Sequence, residues 1–304
     1  MRRIATTIAV ATVVVATGAM AGGVPALAAS HGAKATTASS FYLSLGDSLA
    51  QGVQPNRQGV SVETKQGYPD QLFTALKLGN PTLKLVKLGC PGETTTSMMN
   101  GSICKYPAGS QLAQAKAFLA SHKGHVQLVT IDIGANDLNP CLKLPTINQI
   151  AACLLKVFPQ VQANLTTIMD TLTAATGSGH PPFIGMTYYD PELASWLQGT
   201  AGQALAKASI ALAQGFANLL TGVYKTAGAK VADVFTAFHT TQFAARVTLP
   251  ASGTVPKDVG YICSYTWMCA APRSARTSSQ PARLRRHRQH LPGRHLQLSR
   301  QDAA

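Results

Sequence analysis

Apolar residues gather in five short runs, separated by longer stretches in which they recur every three or four positions. The runs are Phe41–Leu45, Leu83–Leu88, Leu128–Ile133, Phe183–Tyr188 and Lys230–Phe235, each bounded by Gly, Pro or Asp. Short continuous apolar segments with such boundaries suit strands buried on both faces. Between them the spacing predicts helices. Tyr68–Leu78 follows a turn at Gly67, and Gln111–His122 starts after Ser110, an N-cap residue, and stops before Gly124. Val161, Leu165, Ile168 and Leu172 form one apolar stripe ending near Gly177; Leu205, Leu212, Phe216, Leu219 and Val223 form another ending near Gly228. Strands alternating with helices predict an α/β chain with a mostly parallel sheet covered on both faces.

In such a sheet ligands bind beyond the carboxyl ends of the strands. The first three strands are followed by Gly46-Asp47-Ser48-Leu49, by Gly89-Cys90-Pro91-Gly92-Glu93-Thr94 and by Gly134-Ala135-Asn136-Asp137. Three polar, glycine-containing turns are therefore expected on one edge. The chain has no internal repeat, no G-x-x-x-x-G-K phosphate loop and no G-x-G-x-x-G dinucleotide turn. A G-x-S-x-G nucleophile elbow is excluded because position 50 is Ala.

These turns resemble the motif blocks of the SGNH, or GDSL-type, hydrolases. Phe41 to Ser48 resembles the block carrying the nucleophilic serine, Pro91-Gly92-Glu93-Thr94-Thr95 the block that contributes a glycine, and Gly134-Ala135-Asn136-Asp137 the block that contributes an asparagine. Each block alone is weak, since Gly46-Asp47-Ser48 could be an ordinary capped turn and Asn136 a turn former. All three in order, each after an expected strand, are specific. The resemblance spans about Ser40 to Ala271. It implies a three-layer α/β/α sandwich with a parallel five-stranded, flavodoxin-like sheet. It also implies an ester hydrolase in which Ser48 is the nucleophile and the Ser48 N–H, Gly92 N–H and Asn136 side-chain amide form an oxyanion hole. A serine hydroxyl needs a base to become a nucleophile, and the negative oxygen of acyl transfer needs fixed donors already aimed at it. Asp137 is expected to orient its loop, and Tyr68, Trp196 and Trp267 to pack rather than to bind substrate. No metal or organic cofactor is implied.

The two ends change the picture. Arg2 and Arg3, the apolar Ile8–Ala16 and the small-x-small Ala26-Leu27-Ala28 read as a signal peptide over residues 1–29. Glycines and Pro25 interrupt the run before it reaches the length of a membrane span. Residues 30–39 read as a flexible leader, 40–272 as the hydrolase domain and 273–304 as an Arg-rich tail expected to be disordered. The net charge of +14 invites a nucleic-acid reading, but eight of the twelve arginines lie in the last 32 residues. Without that tail and the first ten residues, 16 basic and 11 acidic residues remain, so the body is only mildly basic. A monomeric, secreted, extracellular protein with a small ester or lipid substrate, no nucleic-acid partner and no transmembrane segment is expected. Six cysteines in an exported chain favour disulfides over a zinc site, since no pair has zinc-ligand spacing. Their clustering suggests Cys90–Cys104, Cys141–Cys153 and Cys263–Cys269, out of 15 possible connectivities.

One family element is missing. Members normally carry a catalytic histidine near the C-terminus, usually with an aspartate shortly before it, and exported members often show a cysteine-flanked Trp segment just upstream. Cys263 to Cys269 resembles that segment, but the residues beyond do not match. His31, His122, His125, His180 and His239 are out of position, and His287, His290 and His295 lie in the Arg-rich tail. An out-of-frame translation accounts for this. Allowed codons for Arg273–Ser278 and Gln280–Arg288, shifted in frame, read P-V-G-P-D-I and N-P-P-G-Y-A-A-I-A. As written, the enzyme is expected to be impaired. A non-catalytic secreted binding protein on the same fold, or a surface-binding protein led by the arginine tail, are the alternatives.

Overall fold

The computed structural model describes residues 39–250 and 252–269. The expected signal peptide, all but the last residue of the leader, and the Arg-rich tail lie outside the described residues. Strand β1 (Ser40–Gly46) runs into a one-turn helix α1 (Ser48–Gln51) and a hairpin of β2 (Val53–Pro55) and β3 (Ser61–Glu63). Helix α2 (Tyr68–Gly79), β4 (Leu83–Lys87), α3 (Thr95–Asn100), α4 (Gln111–Ser121) and β5 (Val126–Asp132) follow. A 3₁₀ turn at Ala135–Leu138, α5 (Asn139–Leu142) and the long α6 (Ile147–Thr176) lead to β6 (Phe183–Met186). After a 3₁₀ helix at Pro191–Gln198 come α7 (Thr200–Thr226), β7 (Lys230–Ala232) and α8 (Val234–Ala237). A hairpin of β8 (Arg246–Leu249) and β9 (Gly253–Pro256) and helix α9 (Lys257–Tyr265) complete the described chain.

The five expected strands form one parallel sheet in the order β4-β1-β5-β6-β7. In chain order that is 2-1-3-4-5, so the winding direction reverses between β1 and β5. The crevice at such a reversal is where open α/β sheets bind ligands. The last two strands are shorter than the sequence suggests. Met186 and Ala232 end them because Thr187 and Asp233 turn the chain toward new helices; Asp233 caps α8 by accepting from the Thr236 N–H at 3.0 Å.

Alternation along the strands assigns each face. Leu43 and Leu45 of β1 and Val129 and Ile131 of β5 pack with Leu112 and Leu119 of α4, Leu165 and Met169 of α6, and Leu220 of α7. Tyr42 and Leu128 point the other way and pack with Leu83 and with Leu72 and Phe73 of α2. Helices thus lie on both faces of the sheet, an α/β sandwich. The caps act as the sequence suggests: Ser110 Oγ accepts from the Ala113 N–H at 3.1 Å, fixing where α4 begins. All three local disulfides are present, Cys90–Cys104, Cys141–Cys153 and Cys263–Cys269, which leaves no free thiol for zinc among the described residues. Trp196 packs against Phe243 as expected, whereas Trp267 is 46% exposed, because the short Cys263–Cys269 loop holds the backbone there without covering the ring.

Helix α7 approaches the sheet most closely at Gly185, where a Cβ would lie 2.2 Å from the buried Tyr224 ring. Gly185→Ala is therefore expected to destabilise the fold by about 1–3 kcal/mol, as overpacking of a tight core does. Calorimetry should show a melting temperature lowered by several degrees; an unchanged value would mean that Tyr224 can withdraw freely.

Candidate functional site

The three polar turns leave neighbouring strands at the same edge and are tied together by buried hydrogen bonds. Gly46 ends β1 at φ +130°, over Asp132 of β5, where a Cβ would meet the Asp132 carbonyl oxygen at 1.9 Å. Only glycine fits. The Asp47 N–H then donates to that carbonyl at 3.0 Å, and Asp47 caps α1 by accepting from the Leu49 N–H at 2.8 Å. This places half-buried Ser48 at the first position of α1. The second turn packs onto the first. Gly89 lies where a Cβ would be 2.8 Å from the Asp47 carbonyl oxygen, and the Cys90 N–H donates to the Gly46 carbonyl at 3.0 Å. Gly92 follows, exposed and at φ +84°, a left-handed backbone that frees its surroundings of side chain.

Asn136 brings in the third turn. Its Nδ2 donates to the Glu93 carbonyl at 2.9 Å, and its Oδ1 accepts from Asn139 Nδ2 at 3.0 Å. The two contacts fix the amide orientation, and one Nδ2 hydrogen remains for a ligand. Asp137 does what the sequence suggests, accepting from the Thr95 N–H at 2.8 Å and from Thr95 Oγ1 at 2.6 Å. The structure thus joins the turns of Ser48, Gly92 and Asn136 into one hydrogen-bonded edge.

Gln111 and Glu93, which sequence reading did not single out, hold that edge together. Gln111 is fully buried at the start of α4. Its Oε1 accepts from the Gly46 N–H at 2.6 Å, and its Nε2 donates to the Gly46 carbonyl at 2.9 Å and to Glu93 Oε2 at 3.1 Å. Glu93 also accepts from Ser97 Oγ; burial pushes its carboxyl above the usual range while the Ser97 and Gln111 contacts pull it back. A glutamine just after an N-cap has no distinctive pattern, so only the tertiary contact reveals it.

Three of the four described histidines lie at the opposite edge of the sheet. His122 stacks on Phe118 at the C-terminal end of α4, and the His125 carbonyl accepts from the N–H of Phe41 near the start of β1. His180 precedes β6, so these three are at the amino ends of the strands. His239 follows α8 and packs edge-on against Tyr261, 4.5 Å between ring centres.

Asn136 also lines an apolar cavity of about 330 Å³. Leu138 lines it from the 3₁₀ turn, Leu142 and Ile150 from the segment that the Cys141–Cys153 disulfide closes, and Leu212, Ala213 and Phe216 from α7. A hydroxyl on one turn and, on a turn tied to it, an amide with an unspent hydrogen that lines an apolar pocket are groups that acyl transfer uses.

Residues 44–261 match the family model described as GDSL-like Lipase/Acylhydrolase family. The chain belongs to the GDSL-like lipase/acylhydrolase family. Among solved structures, this family member resembles an extracellular lipase from Streptomyces rimosus, at 16% identity and TM-score 0.47, with 75% of this chain and 100% of the other covered. It also resembles phospholipase A1 from Streptomyces albidoflavus NA297, at 16% identity and TM-score 0.44, covering 75% and 99%. A third likeness is the SGNH-hydrolase family esterase AlinE4, at 20% identity and TM-score 0.38, covering 64% and 76%. No curated protein matches the chain.

A second acid of this hydrolase, Asp190, lines the same cavity, accepting from Ser209 Oγ at 2.6 Å and from the Glu192 N–H at 3.0 Å. Burial raises its carboxyl from 3.8 to about 6. The folded chain therefore holds this proton more tightly than the unfolded chain. The associated stability is complete below about pH 4 and is lost as pH rises through about 6. Asp190→Asn should flatten the pH dependence of denaturation in that window, measured by urea titration at several pH values; an unaltered slope would place the proton elsewhere.

Proposed function

We propose that this protein hydrolyses carboxylic esters through an acyl-enzyme on Ser48. Ser48 Oγ attacks the ester carbonyl, the alcohol leaves, and water releases the acid. The Ser48 N–H, the Gly92 N–H and the free Nδ2 hydrogen of Asn136 stabilise the oxyanion, and the cavity beyond Asn136 takes the apolar side of the ester. The observation that carries this reading is the Asn136 amide. One hydrogen is spent on the Glu93 carbonyl and the other is left over, Asn136 lines an apolar cavity, and the Gln111 amide ties the turn bearing Ser48 to Glu93. The family membership gives the class of chemistry, and three disulfides fit an exported enzyme. No helix among the described residues is long and apolar enough to cross a membrane.

The sequence has no counterpart of the family's histidine block, so the chain as written works slowly, on oxyanion stabilisation and binding. Hydrolases lacking a triad member retain about 10³–10⁴ over water from those sources. Ser48→Ala should abolish the covalent acyl adduct that mass spectrometry detects with p-nitrophenyl esters, with the circular dichroism unchanged, while the slow background hydrolysis remains, and Asn136→Ala should cost about 10²–10³ in kcat. Free imidazole should accelerate the wild type by supplying the missing base. An acyl adduct surviving in Ser48→Ala would refute the nucleophile, and indifference to imidazole would refute the missing base.

Acyl length gives a separate test. Each methylene buried in the cavity contributes up to about 0.8 kcal/mol, or about fourfold in kcat/KM, until the space is full. Ala213→Phe should remove that gain for longer esters while sparing the acetyl ester. An unchanged chain-length profile would put the acyl group elsewhere.

A further inference from the structure

Two acids share one buried pocket beneath the turn that carries Ser48. Asp132, the last residue of β5, is the register partner of Gly46 and is 0% exposed; Asp47, next to Gly46, is 2% exposed. The two residues are neighbours at the strand end, where the Asp47 N–H donates to the Asp132 carbonyl oxygen at 3.0 Å, and the Asp47 charge acts on the Asp132 carboxyl. Asp47 uses both oxygens as acceptors, Oδ1 from the Leu49 N–H at 2.8 Å and Oδ2 from the Tyr188 hydroxyl at 2.8 Å. Asp132 Oδ1 accepts from the Tyr68 hydroxyl at 2.6 Å, while its buried Oδ2 takes no hydrogen bond from any described donor. The titratable groups facing the pair among the described residues are Tyr42 of β1, Tyr68 of α2, Tyr188 and Tyr189 beyond β6 and Tyr224 of α7, and none of these is a cation.

Two ionised carboxylates in a dry pocket without a counter-charge are not sustainable, so one keeps its proton. The hydrogen bonds say which. Asp47 receives on both oxygens, as an anion does, whereas the idle oxygen of Asp132 is the one with room for a hydrogen. We propose that Asp132 stays a neutral acid whose Oδ2–H donates to Asp47, making Asp132 the positioning residue that holds the Asp47–Ser48 turn. This rests on the reading of Ser48 as nucleophile. Burial, with the Asp47 charge adding to it, pushes the Asp132 carboxyl well above its ordinary range; Asp47 is also raised by burial but drawn back by its bonds from Asp132, Leu49 and Tyr188. Ionising Asp132 would set two like charges against each other, loosen Asp47 from the Leu49 N–H and let Ser48 drift from the oxyanion donors. Activity then falls at alkaline pH for a reason unrelated to histidine.

Asp132→Asn keeps a donor toward Asp47 and an acceptor for Tyr68 but cannot ionise. It should retain kcat on p-nitrophenyl esters at neutral pH, leave KM unchanged and abolish the alkaline fall. Asp132→Ala should lower kcat at least about tenfold with little change in KM, the loss expected when a hydrogen bond to a charged group is removed. Isotope-edited infrared spectroscopy at neutral pH supplies a readout independent of turnover. The carbonyl stretch of a protonated aspartic acid should appear in the wild type and in Ser48→Ala, and vanish in Asp132→Asn. Its absence from both overturns the proposal whatever the nucleophile. An alkaline fall that persists in Asp132→Asn overturns the positioning role. A covalent acyl adduct persisting in Ser48→Ala, with the infrared band present, overturns only the Ser48 reading.

Discussion

Gly46 ends β1 with a backbone N–H and C=O to satisfy and no room for a side chain, and the Gln111 amide meets both groups at 2.6 and 2.9 Å. The same amide reaches Glu93, so one buried side chain from α4 binds the turn after β1 to the turn after β4. Asn136 closes the set by holding the Glu93 carbonyl from the turn after β5. A buried amide half-satisfied costs about 1–3 kcal/mol per orphaned group, so these bonds are made together or the edge comes apart. Ser48, Gly92 and Asn136 owe their relation to this clasp, since Ser48 rides on a helix of a single turn with little stability of its own.

The clasp works because sheet topology has already brought the strand ends together. Parallel strands wound in the order 2-1-3-4-5 put the ends of β1 and β5 beside the reversal of winding, where no crossover helix covers the crevice. Acids and amides gathered at such a point are costly to bury unless each finds a partner. Here most do: Asp137 with Thr95, Glu93 with Ser97 and Gln111, Asp47 with Leu49 and Tyr188. The oxygen left over, Asp132 Oδ2, is the one whose protonation completes the account.

Much of this was legible in the chain. The five strands, the Ser110 cap, the local disulfides and the loop-orienting role of Asp137 follow from patterns a few residues long, which local physics decides. The exposure of Trp267 and the early ends of β6 and β7 were not legible, because tertiary packing sets them. Gln111 and Asp132 escaped for the same reason: a glutamine opening a helix and an aspartate closing a strand look ordinary until the partner 65 or 85 residues away is in place. The cavity is likewise built from α7 and a disulfide-closed segment well before it in sequence.

A boronic acid with a short apolar tail tests the central claim without needing a base to turn over a substrate. It mimics the tetrahedral transition state, which an acyl-transfer site binds more tightly than it binds a substrate. Boron NMR of the wild type should show a tetrahedral adduct that is absent in Ser48→Ala and weakened in Asn136→Ala. An adduct of equal strength in Ser48→Ala would mean that the three turns, however closely tied, are not where the chemistry occurs.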